Sequence, residues 1–183
     1  MTGIRRKYMK LALRFGTAVC AVGLALIGAA TPAHAASGDP LYRIVNANSN
    51  LCLTVAGGSS SPNAVGVQYT CDTDPSRYWK FVTGGNAGPD FHIVNRNSGL
   101  CLTIAGGSTA VNARAVQYSC DTDPSRRWLL MSGSGGTYKL LNRNSGLCLT
   151  IAGASTALNA TAVQYNCDFD LSRYWRVTFA GTE

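Results

Sequence analysis

The residues with the most chemical potential in this chain recur as a set. Tyr69, Asp72, Asp74 and Arg77 fall in one short segment, and the same types at the same spacing return as Tyr118, Asp121, Asp123 and Arg126 and as Tyr165, Asp168, Asp170 and Arg173. An aromatic ring beside carboxylates suits a polyhydroxylated ligand. The ring packs on the apolar C–H face of a pyranose while charged groups bond adjacent hydroxyls in fixed geometry. Arginine in such a rim suits an acidic sugar such as a uronate. The same residues also have a structural use, in which the Asp caps a turn, the Arg pairs with it and the Tyr covers the wall of the fold. Other chemistries lack their parts. A Ser–His–Asp triad needs a histidine, and His92 stands where the other copies carry Arg43 and Lys139, as an exposed strand residue would. Asp72-x-Asp74-x-Ser76 opens like a calcium loop but lacks the central glycine and closing glutamate. No catalytic residue, metal or cofactor is expected. Asn159-Ala160-Thr161 is a formal glycosylation sequon.

The recurrence extends to a pattern of 41 residues, in copies spanning 42–82, 91–131 and 138–178. Gap-free alignment gives 26 identities of 41 between the first two copies and 27 of 41 between the last two. A period of this size marks an array or a closed symmetric unit, so a site in one copy is a candidate in all three. Each copy holds its own cysteine pair at a separation of 19: Cys52 with Cys71, Cys101 with Cys120, Cys148 with Cys167. The repeat thereby selects one pairing from the possible connectivities. Closing each loop stabilises by ~3 kcal/mol in the chain-entropy picture. Zinc is the rival use of cysteine, and no C-x-x-C spacing is present to support it.

Four short strands are legible per copy, with apolar and β-branched residues between turn-forming Asn, Ser, Asp, Pro and Gly. In the first copy they read as Tyr42–Asn46, Leu51–Val55, Val65–Tyr69 and Tyr78–Val82, and glycine-rich stretches beginning at Gly84 and Ser132 join the copies. No segment carries a helical period, so the fold is expected to be all-β. Twelve strands in three equal units suggest a closed arrangement with pseudo-threefold symmetry, since one unit is too small to bury its apolar face alone. The inward positions are expected to be Ile44/Ile93/Leu140, Leu53/Leu102/Leu149, Val67/Val116/Val163 and Trp79/Trp128/Trp175.

Residues 1–35 read as a cleaved signal peptide, followed by a short segment, 36–41, and a domain over 42–183. Arg5, Arg6, Lys7, Lys10 and Arg14 precede an apolar run of about 16 residues, Phe15 to Ala30, and Ala33-His34-Ala35 offers a cleavage site. The run is short of the ~20 residues that span a membrane. Export is expected by the general secretory route or, given Arg5-Arg6, by the twin-arginine route. Of 16 basic residues, five lie in this leader, leaving eleven against nine acids, a net charge of about +2. The mature chain therefore gives no electrostatic case for nucleic acid.

The pattern N-x-x-S-x-x-C-L-x-[VI]-A-G, then V-Q-Y-x-C, then a turn ending in x-x-W, resembles the ricin-B-type lectin domain of secreted actinobacterial proteins over residues 42–179. That resemblance implies a β-trefoil and a carbohydrate-binding module with one shallow sugar site per repeat. The usual family site holds an Asp two residues after the first Cys, an aromatic platform before the second, and an Asn–Gln pair before the final Trp. Here the platform is Tyr69, Tyr118 or Tyr165, the Asp position holds Thr54, Thr103 or Thr150, and Ser76-Arg77, Ser125-Arg126 and Ser172-Arg173 replace the amide pair. If the acids have moved, Asp72 and Asp74 and their counterparts take their place. The resemblance implies a secreted, stand-alone, non-catalytic protein that binds a polysaccharide or glycoconjugate. The alternative is a protein-binding trefoil, such as a protease inhibitor or a subunit of a secreted assembly. It would act through divergent loops such as Ser59-Ser60-Ser61-Pro62 or Gly84–Asp90.

Overall fold

The computed structural model describes residues 38–83 and 88–183. The leader and the residues 84–87 of the first inter-repeat stretch lie outside the described residues. Twelve strands follow in order: β1 (Pro40–Asn46), β2 (Cys52–Val55), β3 (Gly66–Tyr69), β4 (Trp79–Thr83), β5 (Asp90–Asn95), β6 (Cys101–Ile104), β7 (Ala115–Tyr118), β8 (Trp128–Ser132), β9 (Tyr138–Asn142), β10 (Cys148–Ile151), β11 (Ala162–Tyr165) and β12 (Trp175–Thr182). The first strand begins inside the segment expected to precede the domain, because Pro40 and Leu41 pair with Thr182 and Gly181 at the other end of the chain. Short 3₁₀ turns follow β2 and β3 in each repeat.

The last strand of each repeat pairs antiparallel with the first strand of the next. Trp79 stands opposite Asn95, Trp128 opposite Asn142 and, closing the ring, Trp175 opposite Asn46. Within a repeat the first and fourth strands touch only briefly, Tyr42 with Trp79, Phe91 with Trp128 (and Asp90 with Leu129) and Tyr138 with Trp175. These six strands make a barrel without a free edge, which removes the hazard of unpaired strand groups. The hairpins β2–β3, β6–β7 and β10–β11 close one end, meeting through single bridges such as Val65–Val116 and Arg114–Val163. A six-stranded barrel capped by three hairpins is a β-trefoil.

Alternation along the strands explains the core. Ile44, Ile93, Leu140, Leu53, Leu102 and Leu149 are buried, and the three tryptophans are fully enclosed. Each indole N–H donates to a carbonyl in its own repeat, Leu53, Leu102 or Leu149, at 2.9–3.0 Å, so burial leaves no unpaired donor there. Val67, Val116 and Val163 are buried as expected, but they stand outside the central cluster, in the wall behind three surface pockets. The three disulfides join Cys52–Cys71, Cys101–Cys120 and Cys148–Cys167, each tying the start of one hairpin strand to the end of the other. Such bonds are consistent with an extracellular protein.

Buried amides couple the repeats. Gln68 on β3 is enclosed, yet its amide nitrogen donates to the carbonyls of Ser155 and Ala157 in the third repeat, at 2.8 and 2.9 Å. Its oxygen accepts from Ser49 at 2.6 Å. Gln117 holds Ser59 and Ser61 of the first repeat in the same way, and Gln164 holds Ser108 and Ala110 of the second. Asn46, Asn95 and Asn142 add a second tie in the same rotational sense, to Ser172, Ser76 and Ser125. Each repeat thus grips the one before it around the ring.

The substitution Gln117→Leu keeps the size of the side chain but strips the Ser59 and Ser61 carbonyls of their partner. Urea unfolding should report a loss of ~3 kcal/mol, the cost of leaving several buried polar groups unpaired. A loss under ~1 kcal/mol would contradict this role.

Candidate functional site

The alternation that turns Gln68 inward turns Tyr69 outward, and the same holds for Gln117-Tyr118 and Gln164-Tyr165. Each tyrosine stands at the wall of an open surface pocket. The pockets of the first, second and third repeats measure about 340, 300 and 540 Å³. The first gathers Thr54, Tyr69, Asp74 and Arg77, the second Thr103, Tyr118, Asp123 and Arg126, the third Thr150, Tyr165, Asp170 and Arg173. The structure therefore brings together four of the five expected site residues in every copy.

The fifth stands apart. Asp72, Asp121 and Asp168 do not line the pockets; each accepts the backbone N–H of the second Asp of its turn and pairs with the arginine, at 2.8–3.1 Å. The second Asp serves two purposes. Asp74 accepts from the Ser76 N–H at 2.9 Å and the Ser76 hydroxyl at 2.6 Å, capping the 3₁₀ turn Pro75–Arg77, and it still faces the pocket. Asp123 and Asp170 cap their turns through Ser125 and Ser172. These serine hydrogen bonds, with help from the neighbouring arginine, hold the Asp74, Asp123 and Asp170 carboxyls below their ordinary 3.8. All three are ionised acceptors at neutral pH.

The arginines are largely buried and stand over the tyrosine rings, guanidinium carbon to ring centroid 5.0, 5.1 and 4.9 Å. Ring and guanidinium form one preset wall. Each guanidinium already faces two carboxylates, so the cluster as a whole is net negative. That charge weighs against the acidic sugar that the arginine alone suggests, since a second anion would meet two carboxylates for every guanidinium. Thr54, Thr103 and Thr150 line the pockets as well. Their hydroxyls turn inward to Ser76, Ser125 and Ser172 at 2.8–3.0 Å, leaving the side chains as pocket floor.

Sequence reading missed one contributor. Asn159 lines the first pocket, Asn63 the second and Asn112 the third, each from the loop of a neighbouring repeat. The available signal was an Asn-Ala pair recurring at the end of the same loop. Sequence distance hid the contact.

His92 is half-buried rather than exposed, lying within 4.8 Å of the sulfurs of Cys101 and Cys120. Burial, reinforced by the nearby Arg127 charge, lowers its pKa. Both sulfurs belong to the disulfide, so this group is no thiolate ligand set. Of the loops suited to a protein partner, Ser59–Pro62 is pinned from within by Gln117, and residues 84–87 of the other lie outside the described residues.

Comparison with known proteins identifies the family and the fold. The family described as ricin-type β-trefoil lectin domain-like matches residues 33–118, 77–166 and 124–182. No curated protein matches the chain. Among solved structures it is similar to ThreeFoil, a designed threefold-symmetric protein, at 30% identity and TM-score 0.73 over 75% of this chain and 97% of that one. It is also similar to an exo-β-1,3-galactanase from Clostridium thermocellum, at 26% identity and TM-score 0.74 over 77% of this chain but 30% of that one. The C-half of an earthworm R-type lectin, solved in complex with GalNAc, shares the fold at 11% identity and TM-score 0.60, over 77% of this chain and 99% of that one.

The lowered carboxyl pKa values carry a consequence with a definite sign. A carboxyl depressed by folding stabilises fully above its unfolded value of about 3.9 and loses that contribution as pH falls through the folded value. The triple variant Asp74→Asn, Asp123→Asn, Asp170→Asn should be less stable than the native chain near neutrality. The gap in denaturation midpoint should stay flat from about pH 8 to 5.5 and shrink below about pH 4. A gap that ignores pH across that range would contradict the assignment.

Proposed function

The chain belongs to the ricin-type β-trefoil lectin-like family, and on that footing we propose that it is a secreted, non-catalytic carbohydrate-binding protein with one shallow site in each of its three repeats. Residues 1–35 would direct export and be removed, leaving the trefoil over 42–183 as the acting domain. The observation that carries the reading is the threefold recurrence of one pocket, with tyrosine, ionised aspartate and arginine in the same arrangement.

The chemistry follows from those groups. The tyrosine wall takes the C–H face of a pyranose, and Asp74, Asp123 or Asp170 accepts hydrogen bonds from its hydroxyls. Net negative charge at each site favours a neutral sugar over a uronate. The pockets are open, so each binds weakly alone. Three on one rigid body gain by effective concentration on a polysaccharide, where avidity can exceed a single site by ~10²–10⁴. Asp74, Asp123 and Asp170 give no support to acid–base hydrolysis, because each is held ionised by its turn and is not poised to donate a proton.

The test is a panel of immobilised neutral, anionic and cationic glycans probed with the native protein and with Tyr69→Ala, Tyr118→Ala and Tyr165→Ala, singly and combined. Binding should favour neutral glycans and fall in steps. Each tyrosine should be worth about tenfold at its own site, as expected for loss of a stacking contact of ~1–1.5 kcal/mol. A native protein that binds no glycan on the panel would sink the lectin reading in favour of a protein-binding trefoil.

A further inference from the structure

Asn63, Asn112 and Asn159 share three properties. Each adopts a left-handed backbone with φ between 61° and 63°. Each is exposed, and among the described residues its side-chain amide has no hydrogen-bond partner. Each lines the pocket of a different repeat from its own. A left-handed non-glycine residue is uncommon, and asparagine tolerates it best. Tolerance explains why an asparagine is acceptable there, but not why glycine, freer still at positive φ, is absent from all three copies.

The loop carrying each asparagine is fixed from the receiving side. The Asn159 N–H donates to the Gln68 carbonyl at 2.9 Å, while the Gln68 amide grips Ser155 and Ala157 earlier in the same loop. Tyr69, the next residue after Gln68, lines the pocket into which Asn159 is delivered. The Gln117–Asn63 and Gln164–Asn112 connections repeat the device around the ring, at 2.8 Å in each case. A ligand placed against Tyr69 therefore meets an amide whose position is set by the neighbouring strand residue.

The amide also supplies what the carboxylate wall lacks. An ionised aspartate only accepts hydrogen bonds, and Nε and Nη1 of Arg77 and Arg173, and Nη1 of Arg126, are turned toward the carboxylates. A sugar hydroxyl donates one hydrogen bond and accepts others, so it is fully matched only where a donor stands beside the acceptor. The asparagine amide offers two N–H donors and an acceptor oxygen.

Resting on the lectin reading above, we propose that the three sites are composite: the sugar in the Tyr69 site is bound by Asn159, that in the Tyr118 site by Asn63, and that in the Tyr165 site by Asn112. Each site spans the junction between two repeats. Specificity for adjacent hydroxyls is divided between the aspartate of one repeat and the asparagine of its neighbour. An isolated repeat carries no complete site.

The test begins from the variant Tyr118→Ala, Tyr165→Ala, which weakens the other two sites about tenfold and leaves the Tyr69 site dominant. Binding of lactose, cellobiose, xylobiose and mannobiose is followed by NMR titration. On this background Asn159→Gly should weaken the best-bound disaccharide about tenfold, the effect of losing one or two hydrogen bonds. Asn63→Gly and Asn112→Gly should change it less than about twofold, since neither reaches this site. Glycine accepts the left-handed backbone, so the thermal midpoint should hold in all three, which separates loss of the amide from loss of the fold. Asn159→Asp, which keeps the shape but loses the donors, should weaken binding like Asn159→Gly. Unchanged binding in Asn159→Gly, or a loss in Asn63→Gly instead, overturns the composite assignment and leaves the lectin reading standing. A double variant that binds nothing while the native protein binds also overturns it, because the sites would then not be separable as assigned. A native protein that binds none of the four disaccharides and no glycan on the wider panel overturns both.

Discussion

A glutamine that folding has forced into an apolar wall organises this molecule. Gln68, Gln117 and Gln164 are buried on the strands that close the barrel, where an unpaired amide would be costly. Each satisfies its donors on two carbonyls of the preceding repeat and its acceptor on a serine of its own. Hydrophobic burial supplies the drive to close the ring, but it is non-directional and does not specify which loop meets which strand. The amides do, because each is satisfied only when one loop of one neighbour is in place. Closure and loop position thereby become the same event.

The pockets are a by-product of that constraint. Strand alternation puts the tyrosine on the opposite face from the glutamine, so an element fixed from the inside presents its ring outside without needing further support. The Asp–Ser–Arg turn follows a similar economy. Asp74 caps the turn through Ser76, Ser76 closes on Thr54 behind the pocket, and Arg77 is drawn over the tyrosine by the carboxylates on either side. The structural use of this cluster and the proposed functional one are compatible. The contacts that cap the turn are those that keep the carboxylate ionised and the ring oriented.

Most of the architecture was legible in the residues alone. A repeat with cysteines in register carries the disulfide pairing, the strand count and the closed symmetric fold, and the enclosed tryptophans follow from their place in the final strand. The site was legible in part. Tyr69, Asp74 and Arg77 lie near one another in sequence, and a turn of that length keeps them near in space. Thr54 was identified by position, but whether its hydroxyl faces out or in depends on Ser76, twenty-two residues away, and local pattern has no access to that. Asn159 was hidden for the same reason on a larger scale, since its pocket belongs to the repeat at the opposite end of the chain. His92 reads as exposed because its equivalents are Arg43 and Lys139, yet its shorter ring folds down onto the Cys101–Cys120 disulfide.

Threefold repetition therefore sets the count of pockets, while the contacts between repeats set which residues line them. The measurement that tests this most directly is a crystal structure of the native protein with a neutral oligosaccharide from the glycan panel. A sugar packed on Tyr69, Tyr118 or Tyr165 and hydrogen-bonded to the aspartate beside it and the asparagine of the adjoining repeat is the predicted result. A sugar bound elsewhere on the trefoil, with the three tyrosine pockets empty, would contradict it.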